Sequence, residues 1–241
     1  MKKFSQEELA KISIQINEYF YKGYDIYFIH GWIASYLSSP SDSEEDMVIP
    51  MYLVLDEDKI TDENTFTQFV DNLLDLYKDL SDKTYEQNKL IKPLVNIMHP
   101  NNFLIAETTV TEKTNLLNWL YGYLCCYLTI GVDMVEHCHD VDLLEKRFFP
   151  ALFTICACFI LLEAEIGTAS LLYTSDDLVD FQELKEDVES MWEDDENGSF
   201  IDGLKKYTLA ESMEHLIEAL NSVFFVVRKT EETKFNADEL K

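Results

Sequence analysis

The chain has 241 residues, 47% of them hydrophobic, and its 46 acids against 19 bases leave a formal net charge of −27. That apolar fraction is too high for a disordered chain. A field of that sign repels phosphate backbones and anionic lipid, which argues against nucleic acid as a partner and in favour of basic proteins. Seven glycines and five prolines are few for this length, so a fold that depends on many tight turns gives way to helices.

Ser5 and Glu8 have capping-box spacing, and Leu9, Ile12, Ile16, Tyr19 and Phe20 follow at helical period, so a first helix ends at Gly23. A second starts at about Asp25, with Ile26, Ile29, His30, Ile33 and Leu37 on one stripe. Residues 38–47 have loop composition, and Ile49, Pro50 and Met51 open a short apolar segment. Phe66, Phe69, Val70, Leu73, Tyr77 and Leu80 mark a third helix; a short one is expected at 84–92. The fourth, about 112–131, is apolar nearly all round and is expected to be the central helix. A fifth begins near Asp142 and must kink or restart at Pro150, which has no N–H to donate; Gly167 suits its C-terminal cap. Ser175 can cap a sixth over 176–193. Thr208 and Glu211 form a second capping box before Leu209, Met213, Leu216, Ile217, Leu220, Phe224 and Val227. The expectation is an all-α, single-domain bundle of about seven or more helices over 1–230, packed around the helix at 112–131. A frayed polar tail follows at 231–241.

Two uncharged runs, 116–132 and 148–162, raise the membrane question, but both fall short of the roughly 20 residues that span a bilayer. Buried helices explain them, and no membrane partner is expected. Five cysteines, Cys125, Cys126, Cys138, Cys156 and Cys158, are an odd number, and four lie in apolar runs; reduced thiols in a cytoplasm are the natural reading. The N-terminal stretch turns polar and acidic where a signal peptide needs an apolar core, which agrees with a cytoplasmic location.

His137, Cys138 and His139, flanked by Glu136 and Asp140, form the most chemical-looking cluster. Adjacent residues on a helix diverge, and zinc signatures separate paired ligands by two or more positions, so a loop with exposed histidines is the default and metal binding the alternative. His30 sits on an apolar stripe beside Gly31 and Trp32, the setting of a core histidine whose ring nitrogens find local partners. Gly31 in one helix, and Gly122 near Trp119 in another, suggest two helices that face each other in a tight crossing. Phosphate-binding loops, nucleophile elbows, paired-cysteine and zinc-protease motifs are all missing from the sequence, so neither catalysis nor a cofactor is expected.

The segment 176–196 holds eleven acids and one lysine, with Met191 and Trp192 among them. Concentrated like charge on a helix is unfavourable, so Asp187, Glu189, Asp194 and Asp195 around Met191 and Trp192 suggest a docking surface for a basic partner, the alternative being a solvated face that serves solubility alone.

The order of His30-Gly31-Trp32, Ser39-Pro40, Ile49-Pro50 and then Asn118-Trp119, Gly122-Tyr123 and Leu124 resembles the YgfB/YecA-like family of bacterial all-helical proteins, over about residues 5–228. The resemblance implies that His30, Gly31, Trp32, Pro40, Pro50, Trp119 and Gly122 are structural motif positions, and that the protein is a non-enzymatic interaction or regulatory module. Larger family members carry a cysteine-rich metal-binding segment at the C-terminus; residues 234–241 here contain no cysteine, so that property does not transfer. The expected function is therefore a cytoplasmic interaction or regulatory protein with an acidic surface and a protein partner, a homodimer being compatible with it. The alternative is a metal- or small-ligand-binding protein that uses His137, Cys138 and His139.

Overall fold

A computed structural model of the chain describes residues 6–20, 24–39, 55–82, 91, 93, 109–130, 134, 138–166, 186 and 208–238. Its elements are α1 (Gln6–Tyr19), α2 (Ile26–Leu37), a 3-10 turn (Glu57–Lys59), α3 (Glu63–Ser81), α4 (Val110–Ile130), α5 (Val141–Ile166) and α6 (Leu209–Asp238). Among the described residues the sole β pairing is an isolated antiparallel bridge between Phe20 and Leu55. The all-α expectation holds, with six α-helices in the described part.

Helix starts follow local chemistry. Asp25 caps α2, its Oδ1 accepting from the Tyr27 and Phe28 backbone N–H groups at 2.9 Å each. Thr208 and Glu211 close the expected box at the head of α6: the Thr208 N–H donates to Glu211 Oε2 at 2.8 Å, and the Glu211 N–H donates to Thr208 Oγ1 at 3.3 Å. The same box, Thr109 with Glu112, starts α4 and was not anticipated. These bonds hold both Glu112 and Glu211 below the usual carboxylate range, the Thr backbone N–H being the main cause.

Pro150 leaves its mark one turn early. α5 is capped by Asp140 and then widens into a π-turn over Leu144–Phe148, where the Phe149 N–H donates to the carbonyl of Leu144, five residues back. With no N–H at residue 150, the chain absorbs the missing α-helical bond by widening, and the α-helix resumes at Phe149.

Packing runs in sequence from helix to helix. α1, α2 and α3 pack on one another, α2 crosses α4 in the most extensive interface, α4 packs on α5, and α5 on α6. Tyr19 at the end of α1 meets Phe66 and Phe69 of α3, and Phe20, just after α1, meets Phe69, with ring centroids 5.2 to 5.5 Å apart. Burial of each such ring stabilises by about 2–3 kcal/mol. On α4, residues 116–126 are buried without a break, which agrees with an apolar surface nearly all round. By length and composition α5 is one helix apolar enough to cross a membrane, but 56% of that stretch is buried inside the protein, the pattern of a core helix. Lys113 and Glu165 form an ion pair between α4 and α5. Asn221 of α6 grips the backbone of Ile91 from both sides, accepting its N–H at 2.8 Å and donating to its carbonyl at 3.1 Å.

One expectation needs correction. The frayed tail at 231–241 is helical through Asp238, because α6 runs for 30 residues. Its capping box and long apolar stripe nucleate a helix that then propagates into polar sequence at little cost per residue. Cys138, within the cluster read as a loop with exposed histidines, is itself buried. The expected helices at 84–92 and 176–193 and the cap at Gly167 lie outside the described residues, apart from Ile91, which is buried and not helical, and Glu186, which is helical and exposed.

Candidate functional site

Of the residues picked out by sequence, His30, Gly31, Trp119 and Gly122 meet at the α2·α4 crossing. Gly31 and Gly122 make that crossing possible. A Cβ on Gly31 would run into the Trp119 carbonyl oxygen and lie 2.9 Å from its carbon; one on Gly122 would run into the carbonyl oxygen of Phe28 and lie 2.7 Å from its carbon. Each glycine thus receives the backbone of the other helix, as the paired pattern suggested.

His30 and Trp119 lie beside this contact, both buried. The Trp119 indole N–H donates to His30 Nδ1 at 2.9 Å. An accepting Nδ1 carries no proton, so the imidazole is the neutral tautomer with its proton on Nε2. Trp119 also stacks on Tyr123, with centroids 5.5 Å apart and planes 24° apart. Trp32 is buried against Phe28. Pro40 and Pro50 lie outside the described residues.

At the head of the crossing Asp25 does two jobs, where sequence reasoning had only started a helix. Its Oδ1 caps α2, while Oδ2 accepts from Asn118 Nδ2 on α4 at 2.6 Å. Burial pushes its carboxyl above the ordinary range, while the Phe28, Asn118 and Tyr27 bonds pull the other way. A carboxyl raised on folding contributes stability that is present below its unfolded pKa and is lost as pH rises through the folded one. Asp25→Asn is therefore expected to equal or exceed the wild type in stability at neutral pH. The advantage should shrink as pH falls toward about 4, the unfolded range of Asp. Asp25→Ala, which loses the cap, should be destabilised by about 1 kcal/mol. Urea denaturation at both pH values checks this; a neutral-pH loss in Asp25→Asn would mean that the charged bond to Asn118 outweighs the burial.

At the other end of the crossing, Ser35 Oγ and the Tyr123 hydroxyl are buried and make no hydrogen bond among the described residues. Tyr123 lies beside Ser38, whose hydroxyl donates to the Ala34 carbonyl at 2.8 Å. Burial holds the Tyr123 phenol and the Cys125, Cys126 and Cys158 thiols well above their usual ranges, and pushes Cys156 up to about 12. All five cysteines are free. The four in the helices stay protonated at neutral pH and behave as small apolar side chains.

The His137-Cys138-His139 cluster does not come together as a site. The Cys138 thiol points inward and donates to the Asp140 carbonyl at 3.7 Å, while His139 is exposed. His137 lies outside the described residues. Among the described residues no three His, Cys, Asp or Glu side chains gather as a metal site. The acidic-surface residues Asp187, Glu189, Met191, Trp192, Asp194 and Asp195 likewise lie outside the described residues. Asp25 with Asn118 and His30 with Trp119 thus bond to each other across the α2·α4 crossing. Compared with family models, curated proteins and solved structures, the chain matches none.

Proposed function

We propose that the protein is a cytoplasmic interaction or regulatory module, similar in kind to the YgfB/YecA-like proteins, that binds a basic or amphipathic protein partner through its acidic surface. One domain over 1–230, with seven or more helices arranged around α4, is part of the same reading. The observation that carries it is the division between interior and surface. Inside, His30, Trp119, Asp25 and Asn118 are engaged with one another across the α2·α4 crossing. Outside, a chain with 46 acids against 19 bases has far more acidic charge than its bases can neutralise. Five free, buried cysteines fit a reducing compartment.

The segment 176–196 is the most concentrated part of that charge. Neutralising Asp187, Glu189, Asp194 and Asp195 to Asn or Gln is expected to weaken affinity for a basic partner isolated on the wild-type protein. It should also flatten the salt dependence, since exposed pairs are screened over about 8 Å at physiological ionic strength. Stability should be kept or raised by relief of repulsion. Titration at low and moderate salt, mutant beside wild type, is the measurement. An unchanged affinity and salt slope would reduce this segment to a solvated face.

A further inference from the structure

The chain contains two arginines, and each adjoins a lysine: Lys146-Arg147 and Arg228-Lys229. Far apart in sequence, they are gathered by the packing of α5 on α6 around Phe224 and Phe225. The Arg147 guanidinium carbon lies 5.1 Å from the Phe225 ring centroid and Lys229 Nζ lies 6.0 Å from it, while Arg228 lies 5.8 Å from the Phe224 ring. Phe225 is 44% exposed, and Arg147 and Lys229 are exposed beside it. Lys146, next along α5, pairs with Asp142 at 2.9 Å. Arg228 and Lys229 have further interactions within the protein, so Arg147 and Phe225 are the centre of the patch.

A cation over an aromatic face covers the ring only in part, and a stacked guanidinium keeps its N–H edges for a planar carboxylate. An exposed ring flanked by such edges, on a molecule of net charge −27, is a local reversal of the surrounding field. We propose that this patch docks a short acidic segment of a protein partner, with carboxylates on Arg147 and its neighbouring cations and an apolar side chain against Phe225. Charge complementarity selects this occupant over nucleic acid or an anionic membrane. An extended polyanion reaches past the patch into the negative field of the whole molecule, whereas a short segment stays within about one Debye length, roughly 8 Å, of the cations. This site is opposite in sign to the acidic surface proposed above, and the two stand or fall separately.

The test is fluorescence anisotropy with the full chain and a labelled synthetic peptide of alternating Glu and Leu. Saturable binding that weakens with salt is expected, and Arg147→Glu and Phe225→Ala should each weaken it by about tenfold or more. Lys78→Glu, at an exposed position of α3, should leave it unchanged. Circular dichroism confirms that the variants fold, as exposed positions allow. Absence of saturable binding, or undiminished affinity in both patch variants, would overturn the proposal. So would a single-stranded oligonucleotide or a phosphatidylserine vesicle that binds through the same residues when the peptide does not.

Discussion

Replacing Gly122 by alanine is expected to destabilise the protein by about 3 kcal/mol, although alanine is better than glycine by about 1 kcal/mol in an open helix. The new methyl group would overlap the Phe28 carbonyl oxygen and sit 2.7 Å from its carbon and 3.0 Å from its Cα. All three atoms are backbone, so no rotamer change relieves the clash. The remaining response is separation of α2 and α4, and the costs then spread: the Asp25–Asn118 and His30–Trp119 bonds both span that gap. Gly31→Ala meets the Trp119 backbone in the same way and should behave alike. Both variants destroy one interface, so their effects should fall short of additive when combined. Urea denaturation followed by circular dichroism reads the loss. A midpoint at or above that of the wild type would mean that the helices do not touch here and that ordinary helix propensity rules.

What the sequence revealed of this fold was written within a turn of helix. The Thr208–Glu211 box and the apolar stripes depend on residues three or four apart, and these elements appear where the spacing puts them. The glycine pair was legible for a related reason: a glycine inside an apolar helix has a local cost, and a close neighbour is the usual compensation. Partners across helices were not legible. Nothing near Asn118 identifies Asp25 as its acceptor, and nothing near Asn221 points to the backbone of Ile91, because both pairings come from packing. The burial of Cys138 was not legible, since its two histidine neighbours are polar, yet one side chain in a polar run can still turn inward. The arginine patch did leave a trace, a residue type used only twice, but which ring it would cover depended on α5 meeting α6.

Trp119→Ala should cost about 5 kcal/mol, the upper end for loss of a large buried aromatic. Two separate losses add here. Trp119 is fully buried, its ring stacked on Tyr123, so truncation leaves a cavity on a helix whose neighbours are themselves tightly held. Its N–H is also the donor to His30 Nδ1, and a buried acceptor left without its donor costs a further 1–3 kcal/mol, roughly. Trp119→Phe separates the two terms: it keeps most of the ring and loses the donor, so a loss of about 1–2 kcal/mol is expected. Adding His30→Leu to Trp119→Phe removes the abandoned acceptor and should recover part of that loss, a coupling that independent sites would not show. Denaturation midpoints of the single and double variants complete the cycle. A mild effect of Trp119→Ala would place this side chain at the edge of the structure, and strictly additive Phe and Leu substitutions would show that the indole–imidazole bond contributes nothing to holding α2 on α4.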